Sequence, residues 1–178
     1  MAQDRSEELF ERQQQLQMRA MMVLGTWGLA NTLSGSVGML QSEGKLKSFH
    51  QMNMGWGLVN TGIAAIGYYG ARHLNLDDPL IFSLYNQNVT LSKTLLFNAG
   101  LDVGYVSFGL FLRERSKNVV KNQDRLKGFG NSLLIQGAFL LVFDFSTHLI
   151  NNKIGKNISE YIPDIGINSD GIRVIINF

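Results

Sequence analysis

Asp102 and Asp144 are the residues from which chemistry could be built in this chain. Each lies in a stretch of about twenty residues without Lys, Arg or Glu, the length that crosses a bilayer core. No Lys or Arg within the stretches can neutralise Asp102. A carboxylate in such surroundings is protonated, paired, or turned toward water or a ligand. On a helix, Asn98 stands one turn from Asp102 and His148 one turn from Asp144, each on the same face as its carboxylate. Counted from the outer ends of their stretches at about 1.5 Å per residue, Asp102 is about 12 Å deep and Asp144 about 9 Å. Matching depths predict one polar cavity in the outer half, joined by Thr26 and Tyr68. Like charges that meet in low dielectric are expected to share a proton, which suits a site for a proton, a small ion or a small polar solute.

Two further uncharged stretches complete a set of four: 20–40, 49–71, 94–112 and 128–150. Asn31, Asn60 and Gln136 are the mid-depth amides of the first, second and fourth, and join Asp102 as candidate ligand-binding groups. Of the thirty Lys, Arg, Asp and Glu residues, 28 fall in the ends and loops. A helix of a soluble bundle shows water a charged stripe, and these stretches have none. The expected fold is therefore an all-α membrane protein, an antiparallel four-helix transmembrane bundle over 20–150. Gly and Asn account for a mean hydropathy of only +0.02.

The elements around the spans follow from composition. Residues 1–19 are helix formers (Glu, Leu, Gln, Arg) with no breaker before span one, which predicts an amphipathic extension and one long first helix. A short turn at 41–48 containing Gly44 sends span two back antiparallel. Asp77, Asp78 and Pro79 form a helix-start signature, and a short surface helix is expected within 75–92. The loop 113–127 holds six Lys or Arg (Arg113, Arg115, Lys117, Lys121, Arg125, Lys127). By the positive-inside rule it faces the cytoplasm together with 41–48, leaving both termini outside. The start Met1, Ala2, Gln3 resembles a processed end, and a removed leader would reconcile the charged first helix with that orientation. In the tail 151–178, Ile165 and Ile167, a turn at 168–171, and the alternation Ile172, Val174, Ile176, Phe178 read as a small β-like hairpin on the outer face.

Trp27–Thr32 reads WGLANT and Trp56–Thr61 reads WGLVNT, identical at five of six positions. On antiparallel spans this repeat is consistent with an approximate two-fold relation in the membrane plane. The competing reading is that Gly, Asn and Thr recur because they let helices approach and hydrogen-bond. Gly25, Gly28, Thr32 and Gly35 share one face of span one, and Gly100 with Gly104 forms a GxxxG-like groove on span three.

Several classes are set aside. Without cysteine there is no disulfide framework and no thiolate metal site. A net charge of +2 gives no reason to expect nucleic acid. His50 and His148 lie near opposite membrane faces, so neither a metal centre nor a haem is expected, and no cofactor. His50 with Gln51 and Asn53 reads as an interfacial hydrogen-bonding cluster. No phosphate loop or nucleophile elbow is present, and no enzyme activity is expected. The expected partners are the lipid bilayer and either further copies of the chain or another membrane protein. Against a binding or transport role stands a structural or accessory subunit, in which the same polar residues only fix packing or meet a partner.

The segments FHQMNMGWGLVN (Phe49–Asn60), FNAGLDVGY (Phe97–Tyr105) and GFGNSLLIQGAFLLVFD (Gly128–Asp144) resemble an uncharacterised family of small four-helix membrane proteins of Bacteroidetes-type bacteria. The likeness covers Met21–Asp144, and its last two motifs are the more specific. It implies an integral, all-helical protein of the bacterial inner membrane, and it assigns no activity, ligand or catalytic residue.

Overall fold

The computed structural model describes residues 2–74, 81–161, 164–168 and 171–175. Four helices account for nearly all of them: α1 (Ala2–Gln41), α2 (Gly44–Arg72), α3 (Ile81–Arg115) and α4 (Gln123–Ser159). Each uncharged stretch lies within one helix, and the polar residues before Ala20 continue into α1 without a break. Two helices, α3 with the 3-10 turn that follows it and α4, are long and apolar enough to cross a membrane. The charged and Gln-rich first half of α1 and the glycines of α2 lower the hydropathy of the first two.

Three boundaries differ from the sequence expectation. The first turn is only Ser42 and Glu43, because Gly44 takes a φ of +54° and reverses the chain at once. Among the described residues no separate surface helix precedes span three: Ile81–Ser92 forms the opening turns of α3, since no breaker interrupts it. Asp77, Asp78 and Pro79 lie outside the described residues. Finally, α4 runs nine residues past Ile150, where buried Asn151 and Ile158 hold its end. Tertiary packing sustains that helix in spite of its Asn and Gly content.

Past α4 the backbone pairs antiparallel between β1 (Asp164–Asn168) and β2 (Gly171–Ile175). The expected ribbon on the outer face is not part of the bundle, for this pair contacts no helix among the described residues. Its turn at 169–170 and its end at 176–178 lie outside them.

The helices pack along seams with a seven-residue period, the spacing at which antiparallel helices keep one face together. Buried positions run Asn88, Leu95, Asp102, Gly109 on α3 and Gly137, Asp144, Asn151, Ile158 on α4. On α2 they are Asn53, Gly57, Asn60, Ala64 and Ala71. The seams are thus rich in polar and small residues, while apolar residues face outward. Leu33 is 67% exposed, Ile66 77%, Phe97 68% and Val142 66%. This inverts the ordinary arrangement of a water-soluble bundle.

Two helical hairpins, α1 with α2 and α3 with α4, join mainly along α2 and α4. The repeated hexapeptide makes the first hairpin. A Cβ on Gly28 would stand 2.5 Å from Thr61 Oγ1, and a Cβ on Gly57 would stand 2.5 Å from the backbone nitrogen of Thr32. Each glycine therefore receives the other copy's threonine turn. Both threonines bond back to their own glycine carbonyls, Thr32 to Gly28 at 2.9 Å and Thr61 to Gly57 at 2.8 Å. By contrast, Gly100 and Gly104 meet nothing, so the expected groove on α3 is no helix contact within the chain.

Gly57→Ala is expected to lower stability by about 1–3 kcal/mol, because its new methyl meets backbone rather than a movable side chain. Gly55→Ala, which enters open space, should leave stability unchanged or raise it by up to about 1 kcal/mol through helix propensity. Thermal unfolding of both variants separates these outcomes, and equal shifts would contradict the packing account.

Candidate functional site

The polar seam residues form layers along the bundle. Nearest the loops, Trp27 Nε1 donates to Gln136 Oε1 at 2.9 Å, and Gln136 Nε2 donates to Asn31 Oδ1 at 2.7 Å and Asn53 Oδ1 at 3.1 Å. Ser132 donates to the same Asn53 oxygen, and Asn31 Nδ2 to the Trp27 carbonyl at 2.8 Å. Trp27 is clamped by stacking on Phe139, with ring centroids 3.9 Å apart. Three helices are tied through one glutamine.

A second layer lies toward the termini. Gln13 Nε2 donates to Asn151 Oδ1 at 2.9 Å, and Asn88 Nδ2 reaches Gln13 Oε1 at 3.0 Å. Asn151 Nδ2 donates to the Asn88 carbonyl at 2.9 Å. Beyond it, Leu9, Phe10, Leu84 and Ile158 form an apolar cluster that closes this end. These contacts are where α1 meets α3.

Between the layers the bundle opens. The backbones of α2 and α3 do not touch, and Trp56 against Tyr105, edge to face at 4.8 Å, spans the gap. The resulting cavity of about 500 Å³ is lined by all four helices and includes Asn60, Asn98, Asp102 and Asp144. Through Gln17, Leu91 and Thr94 it continues into a second hollow beside Phe82 and Gln87, toward the termini. Access is from that half, and the Gln136 layer closes the other.

Asp102 and Asp144, 3% and 5% exposed, line this cavity together. Two like charges in one apolar space repel, so the pair is expected to hold one proton between them. Asp102 Oδ2 has no hydrogen-bond partner, and neither has Nδ2 of Asn60, which is 2% exposed. No Lys, Arg or His lines this cavity. Both residues line the cavity while these two atoms are buried, and an unpartnered buried polar group ordinarily costs about 1–3 kcal/mol.

The seven candidate residues divide. The cavity brings together Asp102, Asp144, Asn98 and Asn60. Asn31 and Gln136 belong instead to the layer on the loop side. His148 turns away from Asp144, with Nδ1 2.9 Å from Ser92 Oγ and Nε2 3.0 Å from Asn152 Nδ2, so both ring nitrogens are occupied. Thr26 is exposed and bonds to the Met22 carbonyl, and Tyr68 is not among the lining residues. His50 packs under Gly38 with Nδ1 unpartnered, while Asn53 leaves its company for Gln136 and Ser132. No group of three or more His, Asp or Glu residues able to hold a metal exists among the described residues.

Sequence reasoning missed Gln13, Asn53, Asn88, Ser132 and Asn151 as network members. The seven-residue steps Asn53 to Asn60 and Asp144 to Asn151 were the available signal, since residues seven apart share a helix face.

Asn151→Leu removes partners from Gln13 and Asn88 at once and is expected to cost at least about 2 kcal/mol, each stranded polar group contributing about 1–3. Asn152→Ala, at the exposed rim of the His148 cluster, should change little. An unfolding midpoint unaffected by Asn151→Leu would refute the load assigned to this layer.

Residues 23–145 match a family described as a family of unknown function (DUF6992). No curated protein and no solved structure matches the chain.

Proposed function

Because the chain belongs to this family of unknown function, and the matched region holds Asn60, Asp102 and Asp144 alike, we propose from the cavity itself that the protein binds a small ion, proton or polar solute in its outer half. The observation that carries this reading is the placement of two buried carboxyl groups and a buried amide, Asp102, Asp144 and Asn60, around one cavity that no Lys, Arg or His lines. Asp102 and Asp144 hold the proton or positive charge, and Asn60 donates to the ligand with Asn98 beside it. Passage to the far side requires the Gln136 layer to open, since those bonds stand across the route.

The proposed setting is the bacterial inner membrane, with all four helices crossing it. Apolar side chains on the outward faces of every helix support this, as does the uncharged core of each. Gly128 on α4 sits against the Lys45 carbonyl and Ser48, and Gly44 lies beside Asp124. Loops 41–48 and 113–127 therefore share one end, and its positive charge assigns that end to the cytoplasm. Both termini and the tail are then outside. One cavity per chain is a narrow basis for a transport path, so further copies of the chain are the expected partners.

A structural or accessory role is the competing class, and one observation favours it for part of the set. The side-chain hydrogen bonds of Asn31, Gln136 and His148 end on protein groups. Those three fix packing in either reading.

The absence of cysteine makes topology directly testable. Lys156→Cys should react with a membrane-impermeant maleimide in intact spheroplasts, and Lys117→Cys only after permeabilisation. The opposite pattern, or recovery of the protein in the soluble fraction, would refute the proposed setting.

The site is tested by Asp102→Asn in proteoliposomes. The wild-type protein should carry flux driven by a proton gradient, and the variant, folded with an unaltered unfolding midpoint, should lose at least tenfold of it. If wild-type vesicles match empty ones and the substitution only shifts stability, the structural class prevails.

A further inference from the structure

The cavity carries more information than a polar ligand requires. At about 500 Å³ it lies within the range of about 300–1,000 Å³ that holds an organic molecule, and far above the needs of a bare ion. Its walls are mostly apolar, with Leu24, Ile63 and Leu95 among them, and its carboxyl groups are the Asp102 and Asp144 pair. Three aromatic residues, Trp56, Tyr105 and Phe143, line the same space. Trp56 and Phe143 are fixed by packing on the Leu24, Ala64 and Leu140 cluster, and Tyr105 by its edge contact with Trp56.

We infer that the occupant is a monovalent organic cation with an apolar body, an alkyl or aryl ammonium or phosphonium, seated between the carboxylate pair and these aromatic rings. The inference rests on the cavity reading above and names its ligand class. Its charge follows from the pair: two carboxyl groups held together by one proton keep one negative charge, which one positive charge balances. No lining cation competes for that charge. Its apolar body follows from the walls, and the rings add cation–π attraction that inorganic ions lose to their tighter hydration. Asn60 Nδ2 selects among such cations, favouring those that bring a hydrogen-bond acceptor within reach of the orphan donor.

Tetraphenylphosphonium and its isosteric anion tetraphenylborate separate charge from shape. Calorimetric titration of the full-length detergent-solubilised protein, against micelle-only blanks, is expected to show saturable binding of the cation. Asp102→Asn and Asp144→Asn should each weaken it at least tenfold, and the charge-retaining Asp102→Glu should recover most of that loss. Tetraphenylborate should show no binding that depends on either aspartate. Equal binding of both ions, or cation binding indifferent to both substitutions, overturns the inference. If tetraphenylphosphonium fails while sodium or potassium binds in an Asp102-dependent way, the ligand class falls and the cavity reading stands. If no probe depends on Asp102, both fall.

Discussion

A polar side chain buried between helices must find a partner, because water cannot reach it and an unpaired amide or carboxylate in an apolar interior is costly. The architecture follows from how this chain meets that constraint. Amides sit on the packing seams of all four helices, so only the register that closes their bonds is favourable. Gln136 fixes α1, α2 and α4 by bonding Trp27, Asn31 and Asn53. The Gln13, Asn88 and Asn151 triad fixes α1, α3 and α4 at the other end. Generic apolar packing tolerates sliding by a turn, whereas these bonds do not. Midway between them the constraint is left unmet at Asn60 and Asp102, as it is outside the cavity at His50 and Gln87.

The repeated hexapeptide explains why the gap occurs there. Its two copies begin with equivalent contacts, glycine against threonine in each direction across α1 and α2. Equivalence ends at the residues that reach the second hairpin. Trp27 and Asn31 meet Phe139 and Gln136 of α4. Trp56 and Asn60 meet the space between α2 and α3, where the one ring contact is Tyr105. Because α4 reaches α1 while α3 stands off from α2, one copy of the motif is satisfied by protein and the other faces a cavity. A local near-symmetry becomes a site when a single asymmetric neighbour breaks it.

Much of this was legible in the sequence, and the limits have physical causes. Uncharged runs of helical length located all four helices, since the charges needed to end or solvate a helix are missing inside them. Asp102, Asp144 and Asn98 could be grouped because depth along an antiparallel bundle follows from counting residues, whereas Asn60 was set with Asn31 at mid-depth. Direction around a helix was harder. His148 is four residues from Asp144, yet its ring finds Ser92 and Asn152 instead. Asn31 and Gln136 share the polarity of Asn60 but bond to each other. Gln13 and Asn151 lay beyond the uncharged stretches and so looked like solvated ends. Their burial depends on α1 and α4 both extending past the core, which packing rather than local propensity decides.

The two bonded layers also bear differently on what the cavity can do. The triad at the terminal end is backed by Leu9, Phe10, Leu84 and Ile158, a dry cluster that leaves no route along the axis. Entry is therefore lateral, through the hollow beside Gln17, Leu91 and Thr94 where α1 and α3 are loosely joined. The layer on the loop side lacks such backing: it is a set of neutral hydrogen bonds whose partners sit on three helices. Neutral bonds within protein are each worth only about 0.5–1.5 kcal/mol net, so a change that exchanges them for bonds to water or ligand need not be steep. If the protein moves a solute, the Gln136 layer is the barrier that must yield, and the Gln13 triad is the hinge against which α1 and α3 stay joined while it does.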